Sequence, residues 1–504
     1  MFHPGLLDSV GIHILSFRII RVRRNMSDSE NDIIRQRKEN FNFLIAKGIE
    51  PYGRKFVSSH TSQDCISSYE ESKSVKTAGR VVALRGHGKS AFGNLLDSKG
   101  KIQFYIKKDV IGADIFEIFQ KVDLGDILGL EGKLFKTHTG EVTVLIEKFC
   151  FLSKALRPLP EKWHGLKDVE IRYRQRYLDL ISSEGVREVF KKRSQAVSQI
   201  RRFLDEKGFL EVETPMMQAI PGGAVAKPFV THHEALDIDL FLQIAPELYL
   251  KRLLVGGVEK VYELNRNFRN EGLSRFHNPE FTMMEVYSAY DDYTDMMILT
   301  EQLVVHLCDA VIGTRSLSHA IYPEPINLNP PWRRLDYFEA IREYAGFDAL
   351  QIPDPMVEAL RRGLKVDSQW SRIEIINEIF DKVVQDRLIQ PTFIVDYPIE
   401  LCPLTKAKLD DPTRAERFEL FLNGLELANA YSELNDPMDQ AKRFEEQARA
   451  LGKEQDSDFI RALEYGMPCA GGLGIGIDRL VMILTGSESI REVVLFPQMR
   501  PEAS

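Results

Sequence analysis

The sequence predicts an α+β protein in two parts: a small closed β-barrel, then a larger domain in which helices flank an antiparallel sheet. Three observations carry that expectation. Between residues 77 and 152, five short strand-like segments follow one another, separated by turns such as "DSKG" and "HTG", which is the pattern of a small all-β unit. From about residue 170 onward, helical and strand periodicities mix over more than 300 residues. Within that stretch, segments 260–290 and 417–437 read as hairpins, and hairpins make antiparallel pairs.

Composition sets the outer bounds. The chain has 504 residues, 44% hydrophobic and 28% charged, an ordinary globular balance with apolar residues enough for a large core. A net charge of −8 and a pI of about 5.9 do not announce a nucleic-acid binder, yet a local basic patch inside an acidic whole would serve one. Cys65, Cys150, Cys308, Cys402 and Cys469 lie far apart, with no C-x-x-C pair and no zinc-spaced cluster. They are expected to be reduced thiols of a cytoplasmic protein. No apolar run reaches the roughly 18 residues that span a membrane.

The elements follow in order. Residues 1–25 are apolar, with Arg18, Arg21, Arg23 and Arg24 near the end. Two readings stand: an arginine-rich organelle presequence, or an untranslated leader before a true start at Met26. Residues 26–76 form an N-terminal helical appendage. Its helix has Ser27 or Ser29 as cap and Gly48 as stop, and its charged surface predicts exposure. Residues 77–155 form the barrel, of which the OB-fold is the commonest nucleic-acid-binding design. There Arg85, Phe92 and Gln103 are candidates for single-stranded nucleic acid, through charge, stacking and base-edge hydrogen bonds. Core packing explains a lone Phe92 equally well. "ALRGHGKS" loosely matches a P-loop, but strand, turn and strand follow it instead of the helix a P-loop must open. Residues 156–170 read as a linker and 171–504 as the large domain.

Chemistry concentrates in three stretches of that domain. In "KVYELNRNFRNEGLSRFHNPEFTMMEVYSAY", residues 260–290, Glu263, Asn265, Asn267 and Arg269 alternate onto one face, as do Phe281, Met283, Glu285 and Tyr287. A solvated sheet face accounts for either strand alone. In "RFELFLNGLELANAYSELNDP", Asn423-Gly424 is a two-residue hairpin signal that sets Phe421 opposite Glu426 and Glu419 opposite Ala428. Glu419 and Glu426 then share a face, and two close carboxylates call for a cation such as magnesium. Simple alternation puts Asn429, Tyr431 and Glu433 on the other face from Glu426, so a bulge must intervene if both sets serve one site. In "GGLGIGIDRLVMIL", glycines end a strand, a helix continues, and Arg479 falls in its first turn.

The "FRNEG" loop and "GLGIGIDR" resemble the second and third signature motifs of class II aminoacyl-tRNA synthetases. "AVSQIRRFLDEKGFLEVETPMM" resembles the first, a long helix and then a strand ending at Pro215. With the barrel, "GGAVAKPFVTHHEALD" and "APELYLKRL", the chain from Met26 to Arg500 resembles the class II lysyl-tRNA synthetases of bacterial type. The resemblance implies an OB-fold anticodon-binding domain using Arg85, Phe92 and Gln103, ahead of a class II catalytic domain. It implies activation of L-lysine by ATP and Mg2+, transfer to tRNA(Lys), and a homodimer. Arg269 and Arg479 would be catalytic. ATP would meet Arg269, Glu271, His277, Phe281, Glu419, Glu426, Gly474, Gly476 and Arg479, with Glu419 and Glu426 holding magnesium. Lysine would meet Gly223, Glu247, Glu285, Tyr287, Asn429, Tyr431 and Glu433.

Physical reasoning supports lysine, because a buried ammonium needs carboxylate partners. An aspartate pocket needs fixed cations instead, and aspartyl and asparaginyl relatives typically carry glutamine where Glu247 stands. Three departures accompany the resemblance: Phe276 where arginine commonly precedes "HNPEF", Cys469-Ala470 for Pro-Thr, and Cys402 for serine. The competing expectations are another synthetase of this subclass and a catalytically silent tRNA-binding relative. Loss of Arg269, Arg479 or a magnesium carboxylate would favour the latter, and all are present.

Overall fold

Strict alternation of buried and partly or fully exposed positions along Ser90–Leu96 and Lys101–Lys107 is what a strand with one face on a core requires. The computed structural model describes residues 31–159, 168–318, 324–451 and 456–502. Its two units are residues 1–165 and 166–504. Residues 1–25, the Ser27 and Ser29 caps and most of the expected 156–170 linker lie outside the described residues.

In the first unit, β1 (Ser74–His87), β2 (Ser90–Leu96), β3 (Lys101–Lys107), β4 (Ile127–Lys136) and β5 (Val142–Ser153) close into a barrel in the order β1-β2-β3-β5-β4. Val81, Phe104, Ile106, Leu128, Leu130, Val144 and Ile146 fill it. The loose P-loop stretch is the β1–β2 hairpin, with His87 paired to Ser90 and Gly88 at φ +55°. The helix over residues 31–46 corrects the expectation of an exposed appendage. Its Leu44 is fully buried in the barrel core, with Phe43 packed beside it. Arg37 donates from Nη1 to the carbonyls of Ala155 (3.1 Å) and Arg157 (2.6 Å). Arg37, Asn40 and Leu44 form one helical stripe, so a narrow buried face hides among the surface charges.

In the second unit the strands are β6 (Leu210–Glu211), β7 (Met217–Gln218), β8 (Val230–His233), β9 (Ile238–Leu242), β10 (Lys260–Phe268) and β11 (Glu280–Ala289). Then come β12 (Ser316–Leu317), β13 (Ile326–Asn327), β14 (Arg333–Asp336), β15 (Thr392–Val395), β16 (Arg417–Leu422), β17 (Leu425–Ser432) and β18 (Ala470–Gly476). Eight of them form one sheet, ordered β14-β15-β16-β17-β18-β11-β10-β6. The end pairs β14–β15 and β10–β6 are parallel and the pairs between them antiparallel. The strand expected to reach Pro215 pairs only at Leu210 and Glu211. Beyond it the Thr214 amide donates to Glu263 Oε1 at 2.9 Å, which ties the chain to a side chain in place of the ladder.

The sheet is apolar on one face. Tyr262, Met284, Val286, Phe418, Leu420, Leu473 and Ile475 pack there with helices Glu184–Glu206, Tyr293–Leu307 and Ile477–Thr485. The opposite face carries Glu285, Glu419, Asn429 and Tyr431. Residues 337–401 add a second core around Tyr337, Phe380 and Tyr397, which packs against Phe421 of β16. Among the described residues no helix is long and apolar enough to cross a membrane.

Candidate active site

Cross-strand register assembles the polar face. In the β10–β11 hairpin Glu263 pairs with Glu285, Asn265 with Met283 and Asn267 with Phe281, so the alternation read from the sequence holds. In the β16–β17 hairpin Phe421 faces Glu426 as expected, but Glu419 faces Asn429, not Ala428. The register shifts between Leu420 and Phe421, leaving Leu427 as an extra residue. That is the bulge the chemistry called for: it brings Glu426, Asn429 and Tyr431 onto one face. Strand β18 completes the floor, with Gly472 opposite Tyr287 and Tyr431, and Gly474 opposite Glu285 and Asn429.

One end of this floor is a carboxylate pocket. Glu247, Glu285 and Glu433 are all buried. The Tyr287 hydroxyl donates to Glu285 Oε2 at 3.0 Å and the Tyr431 hydroxyl to Glu247 Oε1 at 2.8 Å. Burial, reinforced by Glu247, pushes the Glu285 carboxyl up to about 8. Gly223, at φ +82°, approaches this pocket so closely that a Cβ would stand 3.0 Å from that of Glu247. Two participants carried no sequence signal. Lys251 places its ammonium 2.8 Å from Glu247 Oε1 and against Glu433 Oε2. Gly472 makes room for Glu433, whose Oε1 would lie 1.8 Å from a Cβ there. Only the fold brings these partners together, so neither stood out from its neighbours in sequence.

The other end is a cavity of about 270 Å³, lined by Arg269, Glu271, His277, Phe281, Glu426, Gly474, Gly476 and Arg479, among others. Arg269 lies over the Phe281 ring, 5.2 Å from its centroid. Arg479 donates from Nη1 to the Glu426 carbonyl (2.6 Å) and Oε2 (3.3 Å). Burial and the neighbouring Arg479 pull His277 below the usual imidazole range, which keeps the ring neutral. Glu419 lies in an adjoining recess that shares His277, Glu426 and Arg479. There it accepts from Tyr397 (2.8 Å) and Arg417 (2.5 Å). Burial pushes its carboxyl up to about 7; Arg417 and the Tyr397 hydrogen bond oppose this, while Glu426 and Asp381 add to it. A divalent cation would relieve that repulsion, so the donor set fits magnesium. Arg417 is a further partner the sequence did not single out. Asn429 lines both this cavity and a second one containing Gly223 and Tyr431, so it stands where the two ends meet.

A cleft that carries Arg269 and Arg479 thus lies on the same sheet face as a cluster of three buried carboxylates. Residues 168–500 match the family of tRNA synthetases class II (D, K and N), and residues 75–150 match the OB-fold nucleic acid binding domain. A lysine–tRNA ligase of Carboxydothermus hydrogenoformans is 54% identical over 94% of this chain and 98% of its own length. Those of Pelotomaculum thermopropionicum (54%) and Moorella thermoacetica (53%) each align with 94% of this chain, and with 95% and 99% of their own. The chain belongs to the class II lysyl-tRNA synthetases.

In this synthetase Arg275 and Phe276 form the tip of the motif-2 loop. Phe276 packs against the main core while lining the nucleotide cavity. Arg275 turns away, with Nη2 2.9 Å from Glu488 Oε2 and Nε against the Glu488 carbonyl. The Ile490 amide donates back to the Arg275 carbonyl at 2.9 Å. The synthetase's Cys402 is buried with Sγ 3.3 Å from Arg417, and Cys469 is exposed. On the barrel, Arg85, Phe92 and Gln103 line one surface recess. Phe92 stacks on Tyr105 at 4.3 Å, while the Gln103 amide is held by Glu141 and Thr143.

Proposed function

We propose that this protein is a lysine–tRNA ligase that joins L-lysine and ATP into lysyl-adenylate with release of pyrophosphate, then transfers the lysyl group to the 3′-terminal ribose of tRNA(Lys). The observation that carries the choice of lysine is the convergence of buried Glu247, Glu285 and Glu433 at one end of the sheet. Lys251 supplies one ammonium against three buried carboxylates, so a cationic substrate side chain lowers the remaining cost of burying them. The attacking group is the lysine carboxylate itself, so the protein's task is positioning and charge neutralisation. Arg269 clamps the α-phosphate and the carboxylate, and Arg479 neutralises the far end of the triphosphate. Phe281 stacks on the base beside Glu271, and His277 offers a neutral ring to the phosphates. Glu419 and Glu426 would hold magnesium, which would supply charge neutralisation at the phosphates. Gly223, Tyr287, Asn429 and Tyr431 wall the amino acid. The barrel recess of Arg85, Phe92 and Gln103 reads the anticodon, the protein works in the cytoplasm, and two copies form the working unit.

Amino-acid-dependent ATP–pyrophosphate exchange across the twenty amino acids tests this. Lysine alone is expected to drive exchange; exchange with aspartate or asparagine, or none from folded protein, would overturn it. Glu285→Gln should raise the lysine KM by about 100-fold, as loss of one charge-assisted partner does, with little change for ATP.

A further inference from the structure

A charged residue stands where the long helix Glu184–Glu206 turns an apolar stripe to the core. Arg193, Ala196, Ile200 and Leu204 fall on one stripe of that helix, and the last three are buried in the main core. The Arg193 guanidinium donates from Nη1 to Asp478 Oδ1 at 2.6 Å and from Nη2 to Thr282 Oγ1 at 3.0 Å. The other carboxylate oxygen, Asp478 Oδ2, accepts from the Thr282 amide at 2.8 Å. Strand β18 pairs with β11 as far as Gly476 opposite Met283. Thr282 comes next along β11, so the Asp478 carboxylate continues the ladder where β18 has given way to helix Ile477–Thr485. Asp478 and Thr282 are both buried, and both line the nucleotide cavity. Each is the chain neighbour of a residue assigned above to ATP: Arg479 follows Asp478, and Phe281 precedes Thr282.

We propose that Arg193 is a positioning residue for the nucleotide site: through Asp478 and Thr282 it fixes the Phe281 ring and the Arg479 guanidinium in one frame. This rests on the lysine–tRNA ligase reading, in which those two residues hold the base and the far end of the triphosphate. A carboxylate buried as deeply as Asp478 is costly unless a cation and hydrogen bonds compensate it. Arg193 brings the cation, and its planar fork does more than neutralise. One nitrogen takes the carboxylate and the other the Thr282 hydroxyl, so Asp478 cannot rotate off the Thr282 amide without straining both bonds. Without the guanidinium, the buried carboxylate keeps one amide as partner, and the first turn of helix Ile477–Thr485 is less firmly tied to β11. Arg479 lies in that turn, and its bond to the Glu426 carbonyl and its place beside His277 depend on where the turn sits. The clasp is at the nucleotide end of the sheet face and the carboxylate cluster at the other, so the loss falls on ATP and spares lysine.

The test is ATP–pyrophosphate exchange by the full-length protein, with ATP and L-lysine varied in turn, for Arg193→Met, Arg193→Lys, Asp478→Asn and the double variant Arg193→Met with Asp478→Asn. Arg193→Met should raise the ATP KM by about tenfold or more and leave the lysine KM within about twofold. Arg193→Lys keeps the charge but not the fork, so it should recover part of the ATP KM and not all of it. Because both residues act through one clasp, the double variant should cost no more than the worse single variant, where independent residues would multiply their effects. The double variant also removes the two charges together, so it and Arg193→Lys decide the matter by the same readouts if Arg193→Met does not fold. A folded Arg193→Met with the wild-type ATP KM would overturn the proposal. So would equal rises in the ATP and lysine KM, which mark a general loosening of the domain, or multiplicative effects in the double variant. Absence of lysine-dependent exchange in wild type would instead overturn the functional reading beneath it.

Discussion

Gly472 shows how one missing carbon shapes the pocket. A Cβ there would fall 1.8 Å from Glu433 Oε1 and 2.8 Å from Tyr287 Cε1, whereas at Gly476 it would meet only the flexible Arg479 side chain at 3.8 Å. Gly472→Ala is expected to displace Glu433 and raise the lysine KM at least about tenfold. Gly476→Ala should change it little, and pyrophosphate exchange at varied lysine distinguishes the two. Glu247, Glu285 and Glu433 came from the family resemblance and from an ammonium's need for carboxylate partners. Lys251 was not legible, since a lysine on an amphipathic helix ordinarily faces water. Arg417 was hidden for the same reason: it starts a strand whose inward face was taken to begin at Glu419.

The motif-2 loop and the β16–β17 hairpin are elements whose ends decide their function. Arg275 and Glu488 strap the loop to the segment after helix Ile477–Thr485, the helix that carries Arg479. Both side chains are about half exposed, so the ion pair adds little to global stability. Its expected role is to hold His277 beside Arg479, whose Nη2 lies 3.3 Å from His277 Nε2. Glu488→Ala should raise the ATP KM several-fold, leave the lysine KM unchanged and barely move the melting temperature. Steady-state exchange and a thermal melt measure all three. The Asn423-Gly424 turn was legible, with both residues at positive φ. The bulge after it was inferred only because Glu426 and Asn429 had to share a face. Its position at Leu427 is a matter of packing, since leucine is equally at home on either side of a bulge.

For the molecule as a whole, the buried carboxyls link stability to pH. Glu285 is raised to about 8 and Glu419 to about 7, while both titrate near 4.3 in an unfolded chain. Between those values the folded protein holds more protons than the unfolded one, so stability is greatest at the acid end of the window and is lost as pH rises. Melting curves of ligand-free protein from about pH 5 to pH 8 should show this fall against the background of other groups. L-lysine should reduce it, and Glu285→Gln should flatten the part owed to Glu285. A melting temperature that rises across the window and is indifferent to Glu285→Gln would contradict the assignment.

By itself the sequence determined the barrel strands, the two hairpins, the strand-to-helix turn at Arg479 and the family, because these depend on local periodicity, turn chemistry and long motif runs. Tertiary structure decided the rest. It put Leu44 of the N-terminal helix into the barrel core, stopped strand β6 at Glu211, and set Glu419 opposite Asn429. It also brought Lys251 between two carboxylates far apart in the chain. Each of these depends on which distant group fills the space or charge beside a residue, and no local pattern encodes that.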